Sequence, residues 1–310
     1  MPLSFTVLAS GSSGNASLLR VDGFGLLLDA GLGPRLLARR LMAAGAAWSQ
    51  VHAVLLTHTH SDHWRERTLR HLHRLRIPLY CNAGHQDGLG YSPTFARMLT
   101  EELVVDYESG KEFHLTPGLS CRPLPLRHDC GATFGFRFQV SDALDGEARA
   151  LGYVADLGSW DADLAQALAD VDLLALEFNH DVELEQTSGR SPYLIERVLG
   201  DDGHLSNAQA AALLGEILQR SLAGRLRHVV QLHLSRECNR PLLAREAVRA
   251  ILTELTSVEL HTASQDEISP TIVVGTPQNA AAPLNRLAAA RVRSLRLTRS
   301  VQPFLPGMSD

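Results

Sequence analysis

Thr57-His58-Thr59-His60-Ser61-Asp62-His63 stands directly behind the apolar run Val51-His52-Ala53-Val54-Leu55-Leu56. That run has the β-branched and aliphatic make-up, and the length, of a buried strand, so the histidines begin where a strand ends. In extended backbone the side chains at i and i+2 share a face, and His58 and His60 therefore converge on one cation. Asp62 and His63, just past that point, turn toward a second. Imidazole suits Zn²⁺, Fe and Mn alike, while a carboxylate adds negative charge and can bridge two ions, so three His and one Asp within six residues fit a two-metal site. A lone His-x-His reads as a solvated turn; the longer pattern capping an apolar strand reads as a ligand cluster.

The 310 residues are enough to bury a substantial core, with 45% hydrophobic and 20% charged residues and a net charge of −5. No apolar run is long enough to span a bilayer, and the N-terminus lacks the basic, apolar and small-residue regions of a secretory signal, which makes the cytoplasm the expected location and a membrane partner unexpected. Cys81, Cys121, Cys130 and Cys238 show no Cys-x-x-Cys spacing and read as reduced thiols. Fourteen His without a His tract point to metal or proton chemistry, although single ones such as His52, His71, His73 and His114 read as surface or packing residues.

Strand patterns are expected over 3–9, 16–21 and 24–29, the last two joined by the hairpin signal Asp22-Gly23. Ser10-Gly11-Ser12-Ser13-Gly14-Asn15, between the first two, has the small residues that let backbone N–H groups approach a ligand, and reads equally as an ordinary turn. A helix is expected over 34–44, with Pro34 in its first turn and Gly45 at its end. A basic helix over 64–76 carries Arg65, Arg67, Arg70, Arg74 and Arg76, best read as a solvated face. Further strands are expected over 78–82, 119–126, 133–140, 150–155, 171–176, 228–233, 258–261 and 271–274, and helices over 92–102, 161–168, 193–198, 208–222 and 241–255, with Ser206 or Asn207 capping the Ala-rich helix. From about Thr276 the chain becomes Ala-rich, with five Arg against one Asp. The expectation is a catalytic domain over 1–275 and a basic, flexible or peripherally docked extension over 276–310.

His58-x-His60-x-Asp62-His63 resembles the signature of the metallo-β-lactamase fold superfamily. That resemblance implies a four-layer αββα sandwich of mixed α/β class and three more ligands downstream: His128 in Pro125-Leu126-Arg127-His128-Asp129, Asp156 after Gly152-Tyr153-Val154-Ala155, and His233 after Val229-Val230-Gln231-Leu232. By this reading His58, His60 and His128 hold one ion, Asp62, His63 and His233 the other, and Asp156 bridges them. The cofactors are then two divalent ions, Zn, Mn or Fe.

Ser10 to Asn15, Glu177-Phe178-Asn179-His180-Asp181, Gly203-His204-Leu205-Ser206-Asn207 and His233-Leu234-Ser235-Arg236-Glu237-Cys238-Asn239 together resemble the YycJ (WalJ) group of bacterial nucleases, with similarity to ribonuclease Z around His204. The family carries Asn-Asn where Cys238-Asn239 stands. The resemblance implies a phosphodiesterase acting on nucleic acid, DNA above all, as an exonuclease. Because strands and helices already fill the span from Asp156 to His233, no large inserted clamp domain fits there.

Two ions can share a water, lower its pKa and supply hydroxide at neutral pH, with Asp62 among the groups that set up that chemistry. His204 is the candidate proton donor to the departing alkoxide, in line with the ribonuclease Z motif. Ser13, Asn15, Asn179, His180, Ser206 and Asn207 are the candidate substrate contacts, and Glu177, Asn179, His180 and Asp181 either orient His204, meet phosphate or support the metals. The alternative is a metallo-hydrolase of thioester, lactone or β-lactam substrates, since the same chemistry attacks acyl carbonyls. The polar character of His180, His204 and the Ser/Gly loop favours phosphate oxygens. Net acidity works against long-range attraction of a duplex, which metal cations and local basic residues offset.

Overall fold

The computed structural model describes residues 3–141, 148–253, 255 and 257–274. The expected basic extension over 276–310 lies outside them. The first half runs β1 (Leu3–Ala9), β2 (Ala16–Val21), β3 (Phe24–Leu28), α1 (Pro34–Ala43), β4 (Ala53–Leu55), α2 (Glu66–Leu75), β5 (Leu79–Asn82), α3 (Gln86–Leu89), α4 (Pro93–Thr100) and β6 (Val104–Tyr107). The second half runs β7 (Phe113–Thr116), β8 (Leu119–Pro125), β9 (Phe134–Ser141), β10 (Ala148–Val154), α5 (Ala162–Ala167), β11 (Leu173–Glu177), α6 (Val182–Gln186), α7 (Pro192–Leu199), α8 (Asn207–Arg220), β12 (His228–Leu232), α9 (Pro241–Thr253), β13 (Glu259–Thr262) and β14 (Ile272–Val274).

Local chemistry sets the punctuation. Val21 pairs with Phe24 across Asp22 (φ 47°) and Gly23 (φ 81°), the two positive φ angles that a two-residue hairpin turn requires. Pro34 starts α1, and Gly45 at φ 68° stops it. The Ser206 side chain accepts from the Gln209 N–H at the start of α8, while Gln209 reaches back to the Ser206 N–H, a reciprocal cap.

Fourteen strands form two sheets of seven among the described residues, in the orders β14-β1-β2-β3-β4-β5-β6 and β13-β12-β11-β10-β9-β8-β7. The two-residue period sorts their side chains into three apolar layers. Leu3, Phe5 and Val7 of β1, Leu26 and Leu28 of β3, Phe136 and Phe138 of β9, and Val230 and Leu232 of β12 meet between the sheets. Leu8, Leu27 and Val54 face the other way, onto Leu37 and Leu41 of α1, Leu69 and Leu72 of α2 and Phe95 and Met98 of α4. Val154, Leu174, Leu176 and Val229 pack under Ala165 of α5, Leu213, Leu214 and Ile217 of α8, and Val248 of α9. Two sheets face to face with helices on both outer sides are the expected αββα sandwich.

The expected closing strands 258–261 and 271–274 turn out to close different sheets: β13 runs parallel beside β12, and β14 antiparallel beside β1. Strands β3 and β4 are parallel, as are β10, β11 and β12. Their carboxyl ends therefore open on one edge of the sandwich, and the loops that follow them carry the chemistry.

Candidate metal centre

Seven side chains from both halves of the chain come together at that edge. His58 Nε2 and His128 Nε2 each lie 3.2 Å from His60 Nδ1. Such separations match the edge of a coordination shell with metal–nitrogen bonds of about 2.1 Å. His128 Nδ1 meets the Gly203 carbonyl at 2.8 Å, which places the proton on Nδ1 and frees Nε2 as a donor to an ion. On the other side, His63 Nε2 lies 3.0 Å from Asp156 Oδ2 and 3.5 Å from Asp62 Oδ2, and His233 Nε2 lies 3.7 Å from Asp62 Oδ2. His233 Nδ1 pairs with Asp156 Oδ1. Three groups of ligand atoms close enough to share an ion emerge: His58, His60 and His128; His58, His63 and Asp156; and Asp156, Glu177, His204 and His233.

His233 Nε2 is buried and makes no hydrogen bond, and Asp156 Oδ2, equally buried, has only the His63 ring 3.0 Å away as an ion-pair partner. Buried polar atoms left short of partners are costly, and a bound cation removes the cost, so the donor set fits divalent metal. Electrostatics agree. Burial pushes the pKa values of His58, His60 and His128 down, leaving neutral imidazoles, which is the ligand form. Burial also works against charge on His63 and His233, yet Asp29, Asp156 and Asp62 hold His63 well above its ordinary value, and Asp156 with Glu177 lifts His233 to about 10. Asp156 goes the opposite way: burial would raise it, and His233 and His63 hold it well below the carboxylate range. Carboxylates that force protons onto two buried imidazoles are a site built around positive charge, which divalent ions carry.

Around these side chains lies a supporting layer, part of which sequence reasoning missed. Asp29 is fully buried, meets His63 Nδ1 at 2.8 Å and accepts from the Thr57 backbone N–H at 2.9 Å and its hydroxyl at 3.0 Å. Its only sequence signal is an Asp closing a strand. Gly31 lets the next turn rest on the ligand loop, because a Cβ there would sit 1.6 Å from the Asp62 carbonyl oxygen. His204 Nδ1 meets Glu177 Oε1 at 2.7 Å, and Glu177 Oε2 accepts from the Leu157 and Leu205 N–H groups. His204, His60, Asp62, Asp156 and His233 line a cleft of about 340 Å³ whose remaining wall includes Ser12, Asn179, Arg190, Leu194, Arg197 and Ser235. Arg190 pairs with Glu185 and Glu237, and Arg197 with Asp129, which itself lies 3.5 Å from His60 Nε2. Neither arginine stood out in the sequence, where both belong to mixed-charge stretches.

Of the expected substrate contacts, four point inward instead. Asn15 Nδ2 lies 3.1 Å from Asp62 Oδ2 and 2.9 Å from His63 Nε2, so it braces ligands. Ser206 caps α8, Asn207 exchanges amide hydrogen bonds with Asn239, and His180 is fully buried with both ring nitrogens unpartnered. Of these four only Asn15 meets the candidate ligands, while Ser206 and Asn207 are spent on the helix cap and on Asn239. Asn179 reaches the cleft wall while donating to the His233 carbonyl, and Ser13 is exposed, with its backbone tied to Gln265 and Arg65.

Comparison with known proteins gives three kinds of agreement. The model of the beta-lactamase superfamily domain matches residues 25–224. The exodeoxyribonuclease YycJ of Bacillus anthracis is 28% identical over 262 residues, covering 82% of this chain and 90% of that protein. The exodeoxyribonuclease WalJ of Streptococcus pneumoniae serotype 2 is 29% identical over 235 residues, covering 76% and 82%. Among solved structures, the metallo-beta-lactamase fold protein YhfI from Bacillus subtilis superposes with a TM-score of 0.60 at 15% identity, covering 87% of this chain and 99% of that one. No helix among the described residues is long and apolar enough to cross a membrane.

Proposed function

Because the chain belongs to the beta-lactamase superfamily, whose domain model spans nearly two-thirds of it, we propose that it is a dinuclear metal-dependent phosphodiesterase that degrades DNA from an end. His58, His60 and His128 would hold the first ion and Asp62, His63 and His233 the second, with Asp156 shared between the two. When bound, the ions supply a water of lowered pKa and positive charge opposite the nonbridging phosphoryl oxygens. Everything else falls to the protein. Asp29 and Asn15 fix the rings and carboxylates that meet the ions. Glu177 holds the Nδ1 proton of His204, which leaves Nε2 of the same ring to hand a proton to the departing alkoxide. Arg190 and Arg197 each keep N–H donors beyond those spent on their carboxylate partners, and these would meet backbone phosphates flanking the scissile one.

One observation supports a phosphodiester over an acyl substrate: two guanidinium groups and an imidazole share the cleft wall, where an acyl group would call for an apolar lining. The names of the two curated relatives point the same way. Purified protein loaded with Mn²⁺ should release nucleotides from duplex DNA, and His60→Ala should abolish the release. Intact DNA in the presence of Mn²⁺, Zn²⁺ or Fe²⁺, alongside rapid turnover of a lactone or thioester, would overturn the proposal in favour of an acyl hydrolase.

A further inference from the structure

At the opposite end of β12 from His233, the second sheet carries ionisable side chains where its pattern calls for apolar ones. The parallel register sets His228 beside Glu259 and Val230 beside His261. Alternation puts His228, Glu259 and His261 on the face that Val230 and Leu232 give to the inter-sheet core, while Val229 and Leu260 pack under the outer helices. His228 Nδ1 lies 3.5 Å and His261 Nε2 3.7 Å from the same oxygen, Glu259 Oε2, and the two rings are 5.7 Å apart. Both of those nitrogens are buried without a hydrogen-bond partner. Two desolvated imidazole nitrogens aimed at one carboxylate oxygen leave a vertex unfilled.

We infer that His228, Glu259 and His261 bind a divalent ion of the zinc class, with water completing its shell, at a site separate from the catalytic cleft. Three ligand atoms lie within reach of one ion. A tetrahedral site with bonds of about 2.0–2.1 Å has ligand–ligand edges of about 3.4 Å, so the two histidine–carboxylate separations need only a few tenths of an ångström of adjustment, and the two ring nitrogens lie within 4.8 Å of each other. Two imidazoles and one carboxylate select zinc over calcium or magnesium, which take oxygen shells. Burial lowers the pKa of both rings and outweighs the opposing pull of Glu259, with His261 and Arg227 adding to it at His228 and Arg245 at His261, which favours the neutral form that binds metal. Five residues of strand separate His228 from His233, roughly 17 Å, too far to share an ion. The bound ion ties the short edge strand β13 to β12, closing an edge held otherwise by four residues of pairing.

The test is zinc stoichiometry of the full chain after gel filtration in micromolar zinc, measured by mass spectrometry. His261→Ala should hold one zinc fewer per chain than the wild type, and its phosphodiesterase rate with Mn²⁺ should be unchanged. Glu259→Gln alters an exposed carboxylate and leaves the sheet intact; it should weaken that same zinc at least tenfold, and zinc should raise the wild-type Tm more than that of the variant. Equal zinc content in the wild type and a folded His261→Ala would overturn the inference. Should His261→Ala fail to fold, unchanged zinc affinity in Glu259→Gln overturns it alone. Because metal content is the readout, these outcomes stand apart from whether the cleft cuts DNA.

Discussion

Glu177→Gln should slow phosphodiester hydrolysis roughly 10- to 100-fold with the metal content of the cleft retained. In the wild type one carboxylate serves four donors: His204 Nδ1 at 2.7 Å and His233 Nδ1 at 3.2 Å on Oε1, and the Leu157 and Leu205 N–H groups on Oε2. Burial alone would push the Glu177 carboxyl up, but His204 opposite it, with hydrogen bonds from His204 and His233, holds it at about 2. The group is therefore ionised at any working pH, and the substitution removes a charge. A glutamine offers one carbonyl oxygen and one amide, so whichever way it turns, two N–H donors face an N–H donor. A hydrogen bond to a charged group contributes about 1.5–3 kcal/mol, and its loss at His204 converts to a factor of roughly 10 to 100 in rate. Removing the proton donor itself, by His204→Ala, should cost about 10²- to 10⁴-fold. The assay is kcat on a phosphodiester reporter at saturating Mn²⁺, with bound metal measured on the same samples. If Glu177 acts through His204, the double variant is no slower than His204→Ala alone. Independent, multiplying losses would refute the reasoning and place Glu177 with His233. Loss of metal in His204→Ala would make His204 a ligand and remove the proton donor from the scheme.

Asp29→Asn keeps the shape and tolerates the positive φ of that position, but surrenders the charge facing His63; metal affinity measured by chelator competition should fall about 10- to 100-fold with the fold intact. Gly31→Ala places a Cβ against the Asp62 carbonyl and should displace the ligand loop, seen as loss of bound metal and a lower Tm. Arg197→Ala should raise KM for DNA while leaving turnover of a small phosphodiester nearly unchanged, as expected of a group that holds the polymer rather than the scissile phosphate. His85 is pushed down to about 4, by burial above all. The unfolded chain takes up that proton from about pH 6.5, so stability is complete above that value and falls between about 6.5 and 4, by on the order of 3 kcal/mol. His85→Gln, which can still accept from Asn82 N and donate to the Ala132 carbonyl, should flatten the decline in denaturant titrations across that window.

The ligand constellation was legible because its grammar is local: an apolar run, then a His or Asp at its end, three times over. The layers followed from the same alternation, since Leu26 and Leu28 against Leu27 announce a strand covered on both faces. What stayed hidden depends on neighbours that sequence separation conceals. Asp29 means nothing until parallel pairing of β3 with β4 brings Thr57 and His63 beside it. The separate destinations of β13 and β14 could not be read, because a strand's pattern reports its faces and not its partner. In sequence Asp181 reads as a group near the chemistry, whereas its side chain accepts from Leu184 N and starts α6, a helix too short to show a period. Arg197 lines the cleft together with Leu194 and Val198 of α7, and Arg190 from the loop before that helix, and a mixed-charge stretch looks the same in sequence whether it faces solvent or substrate.

The strand ends themselves explain why ligands can gather where strands would otherwise alternate. Asp29, Asp156 and His233 all have positive φ, at 61°, 59° and 53°, a left-handed conformation that costs a non-glycine residue about 1–3 kcal/mol. Each stands just past β3, β10 or β12. Continued extension would send these side chains to a sheet face, into an apolar layer. The left-handed turn swings each one off the end of its strand and into the cleft. Glycine would adopt that backbone freely and bring no ligand, so the strain is inseparable from the chemistry. It is held by specific bonds: Thr57 N–H on Asp29, His63 and His233 on Asp156, and the Ser10 hydroxyl accepting from His233 N–H at 2.7 Å. That last bond runs from the loop after β12 to the loop after β1, and so stitches the two sheets together at the site. Ions bound between these residues, as proposed, would add to the same set of restraints, so that folding and metal binding would draw on common contacts in the cleft.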